Sequence, residues 1–219
     1  MKIISPSILA ADFANLQSMC EMINASNAEW LHIDVMDGVF VPNISFGFPV
    51  LEAVRKHCRK LLDVHLMIVE PEKYVEGFIK AGAGMLTFHC EATTKQQEII
   101  DTIHSAGIKA GICINPDVDV EVLRPYIDKV EMVLLMTVFA GYGGQKFIEE
   151  SYARIDAVKA MIDELNPACL LEVDGGVNFQ NAPLLYAHGV NVLVAGNTVF
   201  NAENQIQAID KLLESSNLT

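Results

Sequence analysis

The stretch His32-Ile33-Asp34-Val35-Met36-Asp37-Gly38 closes an apolar run that starts near Trp30. It reads as a buried strand that stops in a glycine turn. Alternation along a strand sends His32 and Asp34 to one face and Ile33 and Val35 to the other. An imidazole and a carboxylate leaving one strand end side by side make half of a metal or proton-transfer site. The same pattern, a short apolar run followed by an amphipathic stretch, recurs along the whole chain.

Further runs fall at 2–9, 61–68, 85–89, 108–114, 130–138, 169–173 and 190–195. After the first, helical spacing aligns Phe13, Leu16, Met19, Cys20 and Ile23, with Asp12 as N-cap. Later helices are expected over 49–58, from Pro71, and over 96–106, 121–126, 149–165, 182–188 and 202–213. Gly107 is a helix stop and Asn115-Pro116 a strand breaker. Eight strand-then-helix units in 219 residues leave about 27 residues each, enough for a strand, a helix and short loops. The runs read as continuously apolar, as strands of a parallel sheet covered on both faces should be. A closed eight-stranded barrel and an open doubly wound sheet both fit this alternation. Eight uninterrupted units, with no G-x-G-x-x-G after the first run, favour a single-domain (β/α)8 TIM barrel over residues 1–219.

Composition narrows the function. Hydrophobic residues make up 51% of the chain, which supports a layered core. The net charge of -13 argues against nucleic acid, whose phosphates need a basic surface. It leaves room for a small anion held by backbone amides. The five cysteines stand singly, without metal-binding or disulfide spacing, and read as buried thiols of a cytoplasmic protein. The start of the chain, with one lysine and an apolar stretch interrupted by Pro6, is a poor signal peptide. The uncharged run 132–145 is too short and glycine-rich for a membrane span.

In such barrels the site lies at the C-terminal ends of the strands. Ser7, His32, Asp34, His65 and Asp174 all fall at such ends, as do the glycines Gly141, Gly143, Gly144, Gly175, Gly176 and Gly196. His32, Asp34, His65 and Asp174 together offer nitrogen and oxygen ligands for one divalent ion, with an open position for substrate. Asp34 and Asp174 come from opposite sides of the mouth, so a substrate between them meets a carboxylate on each face. That is what inversion of a carbon by proton transfer requires. The glycine loops, with Tyr142 among them, suit a phosphate approached by backbone. Met36, Met67 and Met136 read as an apolar, polarizable wall, although core filling is the commoner role of methionine. Plainer roles go to His57, His104 and His188 as paired polar residues and to Asp117 as a helix cap. Asp37 is expected to hold a turn, and Asp63 to orient a neighbour.

The segments Ser5–Phe13 (S-P-S-I-L-A-A-D-F), His32–Asn43 (H-I-D-V-M-D-G-V-F-V-P-N), Asp63–Met67 (D-V-H-L-M), Gly143–Phe147 (G-G-Q-K-F) and Glu172–Val177 (E-V-D-G-G-V) resemble the ribulose-phosphate 3-epimerase family. They run from the first strand to the loop after the seventh. The resemblance implies a ribulose-phosphate-binding barrel in which His32, Asp34, His65 and Asp174 ligate one divalent metal: zinc, iron, manganese or cobalt. One aspartate would take the C3 proton of D-ribulose 5-phosphate, giving a metal-stabilised enediolate. The other would return a proton to the opposite face, giving D-xylulose 5-phosphate. Ser7, His65 and Asp174 would contact the ketose phosphate, and Gly141 to Gly144, Gly175, Gly176, Gly196 and Asn197 its phosphate. The family further implies a cytoplasmic homo-oligomer of the pentose phosphate pathway, with no nucleic-acid or membrane partner.

Two positions depart from the family pattern. After the sixth strand the family usually reads V-N-P-G-F-G-G-Q, whereas this chain has Val138-Phe139-Ala140-Gly141-Tyr142-Gly143-Gly144-Gln145. Asn197 stands where serine or threonine is common. These changes bring in a sister activity, D-allulose-6-phosphate 3-epimerase, as the alternative. A non-catalytic sugar-phosphate-binding barrel is more remote, because both aspartates are present. Related decarboxylases and synthases carry D-x-K-x-x-D after the third strand, where this chain has Asp63-Val64-His65.

Overall fold

Leucine, isoleucine and valine at alternate strand positions create one face that must be covered. In the computed structural model, which describes residues 2–215, that face builds a barrel. Its strands are β1 (Ile3–Ser5), β2 (Trp30–Met36), β3 (Leu61–Met67), β4 (Met85–His89), β5 (Lys109–Ile114), β6 (Met132–Met136), β7 (Leu170–Asp174) and β8 (Val192–Val194). They form one sheet in the order β1-β8-β7-β6-β5-β4-β3-β2, with every ladder parallel. The seam between β1 and β2 is joined by a bridge between Ser7 and His32, where the His32 N–H donates to the Pro6 carbonyl at 2.9 Å. The fold is a single-domain TIM barrel. The expected span of 1–219 extends past the described residues at both ends.

The helices are α1 (Leu16–Ala25), α2 (Phe48–His57), α3 (Val75–Ala81), α4 (Gln96–Ser105), α5 (Ser151–Leu165), α6 (Ala182–Ala187), α7 (Asn197–Phe200) and α8 (Gln205–Glu214). Outward-facing Ile33, Val35, Val64, Leu66, Leu86 and Phe88 pack with Ile23, Leu51, Phe78 and Ile103 of the surrounding helices in one core. Inside the barrel a separate cluster of Ile3, Trp30, Met85, Met132 and Val192, with Leu61 and Leu170, plugs the N-terminal end. Above that plug the interior turns polar, with Ser5, His32, Asp34, Asp63, His65, Thr87, His89 and Glu172 all buried. The strands are therefore not continuously apolar, as their composition suggested. Only the outward face is apolar throughout.

Several local expectations need correction. β1 is shorter than 2–9, because Pro6 brings no N–H to a ladder. Ser7 then caps a 3-10 turn at Ile8–Ala10, accepting from the Leu9 N–H at 3.3 Å. Asp12 caps a second such turn, Phe13–Asn15, and the α-helix starts only at Leu16. The helix expected over 121–126 is a 3-10 segment, Val120–Leu123, and its cap is Asp119 rather than Asp117. The one expected over 202–213 is preceded by the separate α7, and α8 is capped by Asn204. All five cysteines are buried and free. No helix among the described residues is long and apolar enough to cross a membrane.

One glycine is required by close approach. A Cβ on Gly111 of β5 would lie 2.2 Å from the Thr87 hydroxyl oxygen on β4. Gly111→Ala is therefore expected to destabilise the fold by about 1–3 kcal/mol, as overpacking does. A second change, Thr87→Ala, should restore much of that loss. Urea unfolding of the two single variants and the double variant measures the coupling; simple additivity would contradict it.

Candidate active site

The register of β2 against β3 places His32 beside Asp63 and Asp34 beside His65, and alternation aims all four inward. His32 Nε2 lies 3.3 Å from Asp34 Oδ1, and His65 Nδ1 lies 3.4 Å from the same oxygen. Asp174 Oδ2, from β7, is 3.9 Å from His32 Nε2. The four donor atoms fall within 4.8 Å of one another and could hold a metal ion. Despite the nearby oxygens, His32 Nε2 and His65 Nδ1 are buried without a hydrogen-bond partner. Such atoms are costly unless something else occupies them. Two imidazole nitrogens and two carboxylates aimed at one point fit a divalent cation well.

Each group is held from behind. His32 Nδ1 is 2.7 Å from Asp63 Oδ2, which also accepts from the Ser5 hydroxyl at 3.3 Å. His65 Nε2 is 2.9 Å from His89 Nε2. The Ser7 hydroxyl donates to Asp34 Oδ2 at 2.5 Å. Beneath them Glu172 brings Oε1 to 3.9 Å from His32 Nδ1.

The two aspartates are driven apart electrostatically. Burial pushes the Asp174 carboxyl up to about 7, reinforced by the charge of Asp34. Burial would also raise Asp34, but the close approach of His32, whose charge weighs most, and of His65 holds it well below the usual carboxylate range. Burial pushes His65 down to about 4. It opposes the charge on His32 too, yet Asp34 and Asp63 keep that ring above its ordinary value. Carboxyl groups split in this way can serve one as acid and the other as base.

A pocket opens above the cluster. Ser7, Asp34 and Asp174 line it together with Met36, Met67 and Met136. Its other wall is built from Gly141, Tyr142, Gly143 and Gly144 after β6, Gly175 and Gly176 after β7, and Gly196 and Asn197 after β8. His32 and His65 are fully buried and sit behind the carboxylates, so His65 does not line the pocket as the resemblance implied. Gly176 has φ +68, and a Cβ there would lie 2.4 Å from the Phe147 nitrogen. A Cβ on Gly144 would meet the Asn197 amide at 2.7 Å, so the loops after β6 and β8 touch.

The loop after β6 is tied across the mouth. Asn43 Nδ2 donates to the Gly141 carbonyl at 2.9 Å, and the Tyr142 hydroxyl donates to the Pro42 carbonyl at 2.9 Å. Gln145 braces the loop from inside, donating to the carbonyls of Phe139 and Tyr142. The Ala140 N–H donates to Asn115 Oδ1 at 3.1 Å, a bond that a proline at that position has no proton to make.

Among the plainer roles, His104 pairs with Glu131 at 3.0 Å and His188 with Asp156 at 2.6 Å. Asp37 accepts from the Val39, Phe40 and Val69 amides, so it joins the loops after β2 and β3 as well as holding a turn. Sequence reasoning missed His89, Glu91, Asn115 and Glu172. The signal for His89 was present: Phe88-His89-Cys90-Glu91 ends an apolar run in the same manner as the segments that were recognised.

Fold and site together define a barrel with two facing carboxylates and room for a metal ion at its mouth. Residues 3–200 match the ribulose-phosphate 3 epimerase family, and the chain belongs to that family. It is accordingly an isomerase of the racemase and epimerase class that acts on carbohydrates. It is 46% identical over 210 residues to ribulose-phosphate 3-epimerase of Bacillus subtilis, covering 95% of this chain and 97% of that protein. Against the enzyme of the same name from Synechocystis the identity is 43%, covering 94% and 91%. Among solved structures, KGPDC from Streptococcus mutans aligns with a TM-score of 0.74 at 12% identity, covering 100% and 98%. 3-Hexulose-6-phosphate synthase from Salmonella typhimurium aligns with 0.70 at 17%, covering 100% and 99%. Those two likenesses show the shared barrel alone.

Titrating metal-free protein with cobalt(II) is expected to reveal one tight site. His32→Ala should weaken it by at least about an order of magnitude, since one of four donors is lost. Calorimetry measures this, and an unchanged affinity would place the ion elsewhere.

Proposed function

We propose that the chain works over residues 1–219 as one epimerase domain that inverts C3 of a ketose phosphate, converting D-ribulose 5-phosphate to D-xylulose 5-phosphate. The observation that carries this reading is the convergence of the Asp34 and Asp174 carboxylates on one point beside a glycine-lined pocket. The names of its relatives point the same way.

In this reading the glycine loops and Asn197 hold the phosphate and fix the sugar's direction, so that C3 lies between the two carboxylates. One aspartate takes the C3 proton, and the C–H electron pair moves toward the C2 carbonyl to leave an enediolate. The other aspartate, protonated, gives its proton to the opposite face of C3, which restores the ketone with inverted configuration. The two residues finish with their protonation exchanged and reset by exchange with water. Ser7 holds Asp34 in place throughout. Met36, Met67 and Met136 line the centre without offering a competing acid or base.

His32, Asp34, His65 and Asp174 would hold one divalent ion of zinc, iron, manganese or cobalt. When bound, it supplies Lewis-acid stabilisation, worth several kcal/mol, of the charge that develops on the sugar oxygens.

Phe139 and Asn197, which line the pocket, and Ala140 next to Phe139 give the six-carbon alternative, D-allulose 6-phosphate, its support, since they depart from the family pattern at that wall. Exposed Val39 and Ile44 on the loop after β2 support a homo-oligomer, and the free buried cysteines support a cytoplasmic setting.

Turnover measured on both ketose phosphates should favour the five-carbon substrate; efficient use of the six-carbon one alone would reverse the assignment. Asp174→Asn is expected to lower kcat by about 10²–10⁴-fold and to abolish exchange of the C3 proton with D2O in one of the two epimers, while circular dichroism stays unchanged. Exchange retained in both epimers would contradict the two-base scheme. Dialysis against a chelator should remove activity, and added divalent metal should restore it.

A further inference from the structure

We propose that His89, Glu91 and Asn115 form a positioning relay that fixes which nitrogen of His65 is left free for a metal ion and couples that choice to the loop after β6. The proposal rests on the reading of His65 as a ligand. His89 ends β4, fully buried, and its ring lies nearly parallel to that of His65, with centroids 5.0 Å apart and an interplanar angle of 21°. Phe40 covers its other side at 4.7 Å. The relay runs from His65 Nε2 to His89 Nε2 at 2.9 Å, and from His89 Nδ1 to Glu91 Oε1 at 2.9 Å. That Glu91 oxygen also accepts from the backbone N–H and the side-chain amide of Asn115, each at 3.0 Å.

The order of protons follows from what each atom can do. A carboxylate oxygen only accepts, so the proton between Glu91 and His89 sits on His89 Nδ1. With one proton per ring, His89 Nε2 is then an acceptor, and the proton between the two rings sits on His65 Nε2. That leaves the lone pair on His65 Nδ1, the atom that faces Asp34 Oδ1 at 3.4 Å and has no hydrogen-bond partner. A carboxylate behind a ligating imidazole raises its basicity and fixes its tautomer. His32 has such a carboxylate in direct contact, Asp63. His65 reaches its own only through His89.

The far end of the relay is equally determined. Asn115 uses its NH2 on Glu91, so its Oδ1 is free to accept the Ala140 N–H at 3.1 Å. Arg154 pins the Asn115 backbone, donating to its carbonyl at 3.0 Å. Ala140 stands where the family pattern carries a proline, so this final link belongs to the present sequence. The loop that walls the substrate pocket and the ring that faces the metal position are thus joined by an unbroken hydrogen-bond chain.

The test uses metal-free full-length protein labelled with ¹⁵N-histidine, in which imidazole nitrogen shifts report the tautomer. Wild type and Glu91→Gln, which keeps an accepting carbonyl oxygen, are expected to carry the His65 proton on Nε2. His89→Phe keeps a ring against His65 but removes the acceptor, and Glu91→Ala removes the end of the relay at a partly exposed position. Both should move the His65 proton at least partly to Nδ1. Both should weaken cobalt(II) binding by roughly 10–100-fold, with Glu91→Gln close to wild type. A His65 proton on Nδ1 in wild type overturns the proposal, as does an unchanged tautomer in both disrupting variants. Cobalt affinity of His65→Ala is the separate control: if it equals wild type, His65 is not a ligand, whatever the tautomer result.

Discussion

Two buried nitrogens without hydrogen-bond partners, His32 Nε2 and His65 Nδ1, set the terms for the upper half of the barrel. Each unsatisfied polar atom costs on the order of 1–3 kcal/mol. The protein sustains both inside a layer that already holds Asp34, Asp63, Asp174 and Glu172. What offsets this cost is arranged around the layer. The apolar plug of Trp30, Met85 and Met132 closes the barrel below, and the outward strand faces pack on the helices. Asp63 and His89 hold the far sides of the two rings, so the unpaired atoms point in one direction only.

Much of this was legible in the sequence, for identifiable reasons. β2 and β4 fall where their runs predict, since turn residues bound each run and its outward positions are all apolar. The spacing of His32 and Asp34 fixed their common face, because alternation is a covalent property of the strand. The approach of Asp174 to them depends on closing the sheet, and the barrel reading supplied it beforehand by setting all four residues at strand ends of one rim. Glu172 was read as part of an apolar run, although it shares the inward face with Asp174. His89 was overlooked although, like His65, it lies near a strand end with no glycine turn after it. The 3-10 segments after β5 escaped as well, since helical spacing over a few residues does not separate the two helix types.

The departure at Phe139-Ala140 shows how a local rule can mislead. Loss of proline reads as loss of turn stiffness. The structure replaces that stiffness with hydrogen bonds: Asn115 takes the Ala140 amide, Gln145 spans the loop, and Asn43 and Tyr142 fasten it across the mouth. Phe139 remains half exposed at the rim of the pocket. The loop has exchanged a restraint from covalent geometry for one that depends on its neighbours.

The bridge between Ser7 and His32 lies at the seam where the two ends of the sheet meet. β1 ladders with β8, so its partner strand lies almost 190 residues further along the chain, Ile3 facing Val192. Such distant pairings are slow to form. Asp174 likewise arrives only with the seventh strand. An ion held by donors from β2, β3 and β7 would, by mass action, favour the state in which those strands are brought together. The cluster proposed for the reaction would then also act as a latch that holds β2, β3 and β7 together.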